Sequence, residues 1–449
     1  MFLPIFLITY FLVKPKGRNL IVLLGSIIFY IVGVYKYPSS LIILFISIFI
    51  NFILARTIEK KKDKKLLILG ITLNVLLLVF FKYLNFILVS IISPIINIKI
   101  NELNLILPLG ISFYTFELIS YLVDVYKKEV VAEKSFVRFL AWICFFPKMT
   151  SGPITGYGFL KNQFKYRNVS VDNLIVGLKY FILGLSFKVI LANRIGYLWN
   201  DLLSIGFESI SSILAWMGII GYSLQIYFDF AGYSFMAIGI ARMLGFYLPE
   251  NFKSPYMSLS MSEFWTRWHM TLGSWFKKYI YIPLGGNRNG TLKTIRNLMV
   301  VWLVTGLWHG ASWNFLIWGI SLGVIICLEK FVYKKYLDKH KVFAHMYMLI
   351  LIPLSWAVFS ISDLNQLGIF IGKLFSFSEG IFKLDYLKYL NMYWYLFIAG
   401  FICSTSIPEK AFITKKTNLI QLIFLVGLFW ISIYYLYQGM NNPFLYFSF

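Results

Sequence analysis

Ten apolar runs, most of them near the length of a membrane crossing, divide this chain, and short clusters of lysine and arginine fall between them. The runs occupy residues 19–34, 40–55, 66–92, 107–125, 173–192, 213–241, 297–328, 345–361, 392–407 and 418–438. A helix needs roughly 20 apolar residues to span the hydrocarbon core. Inside a bilayer every backbone polar group must be satisfied internally, which restricts spanning structures to helices and closed barrels. Of the 449 residues 59% are hydrophobic, above the roughly 45–50% of soluble domains. The longest polar stretches are loops, so the pattern predicts an all-α polytopic membrane protein with one membrane domain over 1–449.

The net charge of +23 is not gathered on one face. Its clusters at 14–18, 56–65, 127–134, 161–167, 334–341 and 410–416 follow the pattern of cytoplasmic loops. Anionic membrane lipids are their natural counter-charge, and nucleic acid is excluded as a partner. With 14–18 inside, the N-terminus lies outside, and successive spans return 56–65 and 127–134 to the inner side. Working backward from 410–416 places the C-terminal tail, 439–449, outside as well. The first 13 residues have no basic n-region and no small-residue cleavage site, so they read as a short or tilted first helix. Residues 136–146 are short for a crossing and read as re-entrant or interfacial. Cys144, Cys327 and Cys403 all lie in apolar runs, and neither they nor the histidines have metal-ligand spacing.

Chemistry concentrates in two places. The first is Thr305-Gly-Leu-Trp-His-Gly-Ala-Ser-Trp-Asn, where His309 sits in a 32-residue apolar stretch too long for one straight helix. Ionisable groups at membrane depth are costly and mark functional sites. Gly306 and Gly310 weaken the helix around it, which predicts a hairpin entered from the inner side with His309 at or near its turn. The second is 251–290, which breaks the hydropathy pattern without becoming hydrophilic. There, helical spacing puts Trp265, His269, Leu272 and Phe276 on one face and lets Glu263 pair with Arg267. This segment reads either as an interfacial anchor or as the floor of a cavity, with Lys277, Lys278 and Arg288 turned toward cytosolic phosphate groups. Asp229, Glu117 and Asp124 are further charges in apolar runs, read individually as helix–helix hydrogen-bonding groups.

Several of these motifs, in order, resemble the membrane-bound O-acyltransferases. They are Leu109-Gly-Ile-Ser-Phe-Tyr-Thr-Phe, Phe146-Pro-Lys-Met-Thr-Ser-Gly-Pro-Ile, Gln225-Ile-Tyr-Phe-Asp-Phe-Ala-Gly-Tyr-Ser, Arg242-Met-Leu-Gly-Phe, Pro249-Glu-Asn-Phe-Lys-Ser-Pro-Tyr, Phe264-Trp-Thr-Arg-Trp-His, Tyr281-Ile-Pro-Leu-Gly-Gly-Asn-Arg and Gly306-Leu-Trp-His-Gly-Ala-Ser-Trp-Asn-Phe. The likeness is to the bacterial branch that acts on alginate, peptidoglycan and teichoic acid, and it runs from about residue 20 onward. It implies a ring of about 11 transmembrane helices, with re-entrant or interfacial helices, around a central tunnel in a multi-pass protein of the bacterial plasma membrane. It makes His309 and His269 the family's two histidines, and it places Trp308, Trp313, Asn314 and Asp229 along the tunnel. The donor would be acetyl-CoA or a carrier-protein thioester, with no cofactor bound. Tyr446, in Phe444-Leu-Tyr-Phe-Ser-Phe, matches a tail tyrosine thought to relay the acyl group. An extracytoplasmic SGNH-hydrolase-like partner would complete transfer to a glycan. The chain departs from the family at Phe235, where an acid is common, and in a shorter N-terminal region.

An imidazole suits the base that acyl transfer to a hydroxyl needs, and apolar surroundings favour its neutral form. The competing reading is an exporter of a lipid-linked or envelope glycan component, with His309 and Asp229 as polar pathway residues. It predicts function that survives loss of His309.

Overall fold

The computed structural model of the protein describes residues 2–376, 383–414 and 418–439. Helices account for all of its regular secondary structure, and no strand occurs among the described residues. Eight of these helices are long and apolar enough to cross a membrane: Pro15–Gly33, Ser39–Lys61, Lys64–Tyr83, Val171–Ile205, Ser212–Met243, Trp313–Lys339, Lys341–Ser360 and Leu419–Tyr437. Phe2–Leu12 is the short first helix the sequence predicts, and Ile111–Tyr126 has 16 residues. The chain divides into two compact units, Met1–Leu174 with Ile240–Pro249, and Ile175–Gly239 with Glu250–Phe449.

In the first unit, Ser39–Lys61 and Lys64–Leu78 both pack on Ile111–Tyr126. The first two are joined by a reciprocal amide pair. Asn51 Nδ2 donates to Asn74 Oδ1 at 3.2 Å, and Asn74 Nδ2 donates to Asn51 Oδ1 at 2.8 Å, both side chains being buried. Between apolar helices such bonds replace the hydrophobic drive that lipid removes. Glu117 forms a buried ion pair with Lys148, and its other oxygen accepts from Thr155 N–H at 3.3 Å. Residues 139–146, in the short segment expected to be re-entrant or interfacial, are buried.

In the second unit, the long helix Ser212–Met243 crosses Val171–Ser186 at small residues. A Cβ on Gly184 would lie 2.5 Å from the Gly232 carbonyl oxygen, and one on Gly239 would lie 2.6 Å from that of Gly177. Close backbone approach explains the glycine of the Phe-Ala-Gly-Tyr motif. One turn before Gly232 along the same helix, Asp229 pairs with Lys188. Glu117 and Asp229, read from the sequence as helix–helix hydrogen-bonding groups, thus each pair with a lysine of another helical segment.

Candidate active site

Thr291–His309 and Trp313–Leu328 form a tightly packed helical hairpin whose turn is Gly310–Ser312. His309 is the last residue of the first arm, at the interruption the sequence predicts. Gly306, however, does not break its helix. A Cβ there would lie 2.4 Å from the Phe315 carbonyl oxygen, so Gly306 allows the two arms to touch. Gly310 does end the helix, with extended backbone. The His309 ring is 7% exposed, with centroids 5.0 Å from Trp308, 5.0 Å from Trp318 and 5.3 Å from Phe359.

The segment around His269 corrects the expectation of one amphipathic helix. Met261–Arg267 and Met270–Phe276 are separate helices, and His269 between them adopts φ 43°, ψ 52°. A non-glycine residue in this left-handed region is strained and persists only where its surroundings fix it. The fixing element is residues 251–253. Lys253 N–H donates to the Arg267 carbonyl and Met270 N–H donates to the Asn251 carbonyl, both at 2.9 Å, which removes the helical partners on either side of His269. Helical periodicity could not reveal this. Glu263 and Arg267 do pair, at 2.6 Å.

Asn251 also sets the chemistry of the ring. Its Oδ1 lies 3.0 Å from His269 Nδ1 and accepts from Thr271 Oγ1 at 2.9 Å, while its Nδ2 donates to Ser234 Oγ at 3.1 Å. With Oδ1 fixed as an acceptor by these bonds, Nδ1 carries the proton and Nε2 is the basic nitrogen. His269 is 3% exposed, and burial pushes its imidazole down to about 3, so the ring is neutral at physiological pH. Asn251 is the functional residue that residue-by-residue reading misses. It stood inside a recognised motif, but its partner is 18 positions away.

His269 and His309 line one cavity of about 350 Å³ in the second unit, with Ser262, Thr266, Trp265, Trp302 and Thr305 among its walls. Lys277 and Lys330 line it as well. Of the three predicted phosphate-facing cations only Lys277 is there. Lys278 lies over the Tyr279 ring at 5.0 Å, and Arg288 is exposed. None of the four predicted tunnel residues is among the lining residues. Trp308 is buried, 6.0 Å from the His269 ring. Trp313 is 43% exposed. Asn314 donates to the carbonyl oxygens of Val358 and Phe359 at 3.2 and 2.9 Å, tying the hairpin to the end of Lys341–Ser360. Asp229 is held by Lys188. Tyr446 lies outside the described residues.

Two buried histidines thus face one largely apolar cavity. Residues 65–362 match the membrane-bound O-acyltransferase family, and the chain belongs to that family. It is a multi-pass membrane acyltransferase. It is 36% identical to the probable alginate O-acetylase AlgI of Pseudomonas syringae, over 84% of this chain and 74% of that one. The peptidoglycan O-acetyltransferase of Helicobacter pylori is 36% identical over 81% of this chain and 76% of its own. The teichoic acid D-alanyltransferase of Bacillus subtilis is 32% identical over 53% and 62%. Nothing among these relatives supports the exporter reading.

Proposed function

We propose that the protein moves an acetyl group from a cytosolic thioester, acetyl-CoA or an acylated carrier protein, to hydroxyls of an extracellular or cell-wall polysaccharide. The observation that carries this reading is the joint exposure of His269 and His309 to one cavity. The relatives named for O-acetylation of alginate and of peptidoglycan support the acetyl group and the glycan acceptor.

In this reading His309 takes the proton of an acceptor hydroxyl as its oxygen attacks the thioester carbonyl. The C–S bond breaks, and the departing thiolate recovers the proton from the imidazolium. Neutral His269 accepts a hydrogen bond at Nε2 and orients the reacting group. The mainly apolar cavity, with Lys277 in its lining, supports a pantetheine arm whose phosphate meets that lysine. Tyr446 serves as first acceptor and passes the ester to an SGNH-hydrolase-like partner outside the membrane. Both chain termini then lie on the outer side, in accord with the distribution of basic loops.

The test is the O-acetyl content of envelope glycans, by mass spectrometry, from cells carrying wild-type protein, His309→Ala or Tyr446→Phe. Loss of acetylation in His309→Ala at normal protein levels is expected, and full retention would overturn the catalytic assignment. Acyl label still linked to tyrosine in Tyr446→Phe would remove the relay.

A further inference from the structure

The helix Met261–Arg267 carries Ser262, Trp265 and Thr266 into the cavity, and Trp268 and His269 follow it directly. At seven residues it is too short to persist alone, and its end must be held by tertiary contacts. The holding group lies on the second arm of the histidine hairpin. Glu329 is 1% exposed, and its carboxylate accepts four hydrogen bonds. Met261 N–H donates to Oε1 at 2.5 Å, Ser262 N–H and Ser262 Oγ each donate to Oε2 at 2.8 Å, and Tyr347 Oη donates to Oε1 at 3.1 Å. Ser260 Oγ takes the next backbone donor, Glu263 N–H, at 3.1 Å. The first three amide donors of the helix are therefore all bound by side chains, two of them by Glu329.

Glu329 also begins a π-helical turn, Glu329–Tyr333, at the end of Trp313–Leu328. Such a turn carries an extra residue and is enriched at functional sites. Here the next residue, Lys330, lines the cavity. One buried carboxylate thus joins the hairpin whose first arm ends in His309 to the helix that leads to His269.

From this geometry we infer that Glu329 is a positioning residue for acyl transfer: it locks the floor helix against the histidine hairpin and sets His269 relative to His309. The inference rests on the reading of this cavity as the active site. Reacting groups misplaced by about 1 Å lose on the order of 100-fold in rate, so a lock at this point governs turnover as well as stability.

The experiment compares wild type, Glu329→Gln, Glu329→Asp, Tyr347→Phe and His309→Ala. Glycan O-acetylation is divided by the amount of folded protein in the membrane, and Tm is recorded in detergent. Reaction of His269 with diethyl pyrocarbonate is followed by peptide mass spectrometry. Glu329→Gln is expected to lose about tenfold or more acetylation per folded molecule and to change the rate of His269 modification, with Glu329→Asp recovering part of both. Should Glu329→Gln not accumulate, Tyr347→Phe decides: it removes one of the four hydrogen bonds outside the cavity and is expected to move both readouts in the same direction, about twofold to fivefold. Wild-type acetylation per folded molecule and unaltered His269 reactivity, in Glu329→Gln or in its substitute, overturn the inference. Retained activity in His309→Ala would instead remove the active-site reading itself.

Discussion

Asn251 holds His269 by its side chain, Oδ1 lying 3.0 Å from His269 Nδ1, and its carbonyl accepts from the N–H of the following residue, Met270, at 2.9 Å. One asparagine therefore fixes both the left-handed backbone at the histidine and the nitrogen that bears its proton.

Asn251→Ala is expected to lower turnover by about 10- to 1,000-fold, since a histidine in the wrong tautomer presents an N–H where the reacting group needs an acceptor. Folded yield should fall less. Asn251→Asp sets a carboxylate beside Nδ1, which raises the imidazole from its value near 3 toward neutrality. The wild-type pH–rate profile then carries no limb from His269 above pH 5, whereas Asn251→Asp gains an acid limb. Rate measurements from pH 5 to 9 on purified protein check both.

Breaking the Glu117–Lys148 pair by Lys148→Met leaves a buried carboxylate uncompensated and is expected to cost about 3–5 kcal/mol. The double variant Glu117→Gln with Lys148→Met should recover most of that loss. Thermal unfolding in detergent of Lys148→Met, Glu117→Gln and the double variant measures it, and additive losses in the double variant would contradict the pairing.

Gly306→Ala adds a methyl group where only 2.4 Å separates the new Cβ from a backbone oxygen of the facing arm. No rotamer change relieves a clash with backbone, so a loss of about 2 kcal/mol or more is expected, together with activity, because His309 lies on the same arm. Gly368→Ala, with nothing within 4 Å of its Cβ, is the control and should leave Tm within a degree or two.

Burial, and then the charge of Glu250, raise Glu409 to about 7, with Lys253 opposing. The folded form holds a proton that the unfolded chain releases near pH 4.5. The stabilisation is therefore complete below that pH and is lost as pH rises toward 7. Glu409→Gln should match wild type near pH 4.5 and exceed it at pH 8 by on the order of 1 kcal/mol, after allowance for solvent screening. Tm against pH for the two proteins tests the sign.

Hydropathy and charge spacing made the membrane class legible, and the length of the 297–328 run required the break that occurs at His309. The Glu263–Arg267 pair was legible for the same reason, since residues four apart on a helix meet whatever else the chain does. Motif order gave the family and both histidines. The predicted cations illustrate the other case: Lys277 and Lys278 are adjacent in sequence, yet only Lys277 reaches the cavity, while Lys330, 53 positions beyond it, reaches the same space.

Local rules thus specified that apolar helices form along these runs and which side chains four apart can meet, because those energies act over one or two turns. The kink at His269 was decided in three dimensions, where residues 251–253 outcompeted the helical hydrogen bonds on either side of it. The capture of two backbone amides by Glu329, 67 and 68 positions away, was decided there too. A buried donor or acceptor takes whichever partner packing brings within reach, and separation along the chain carries no record of that choice.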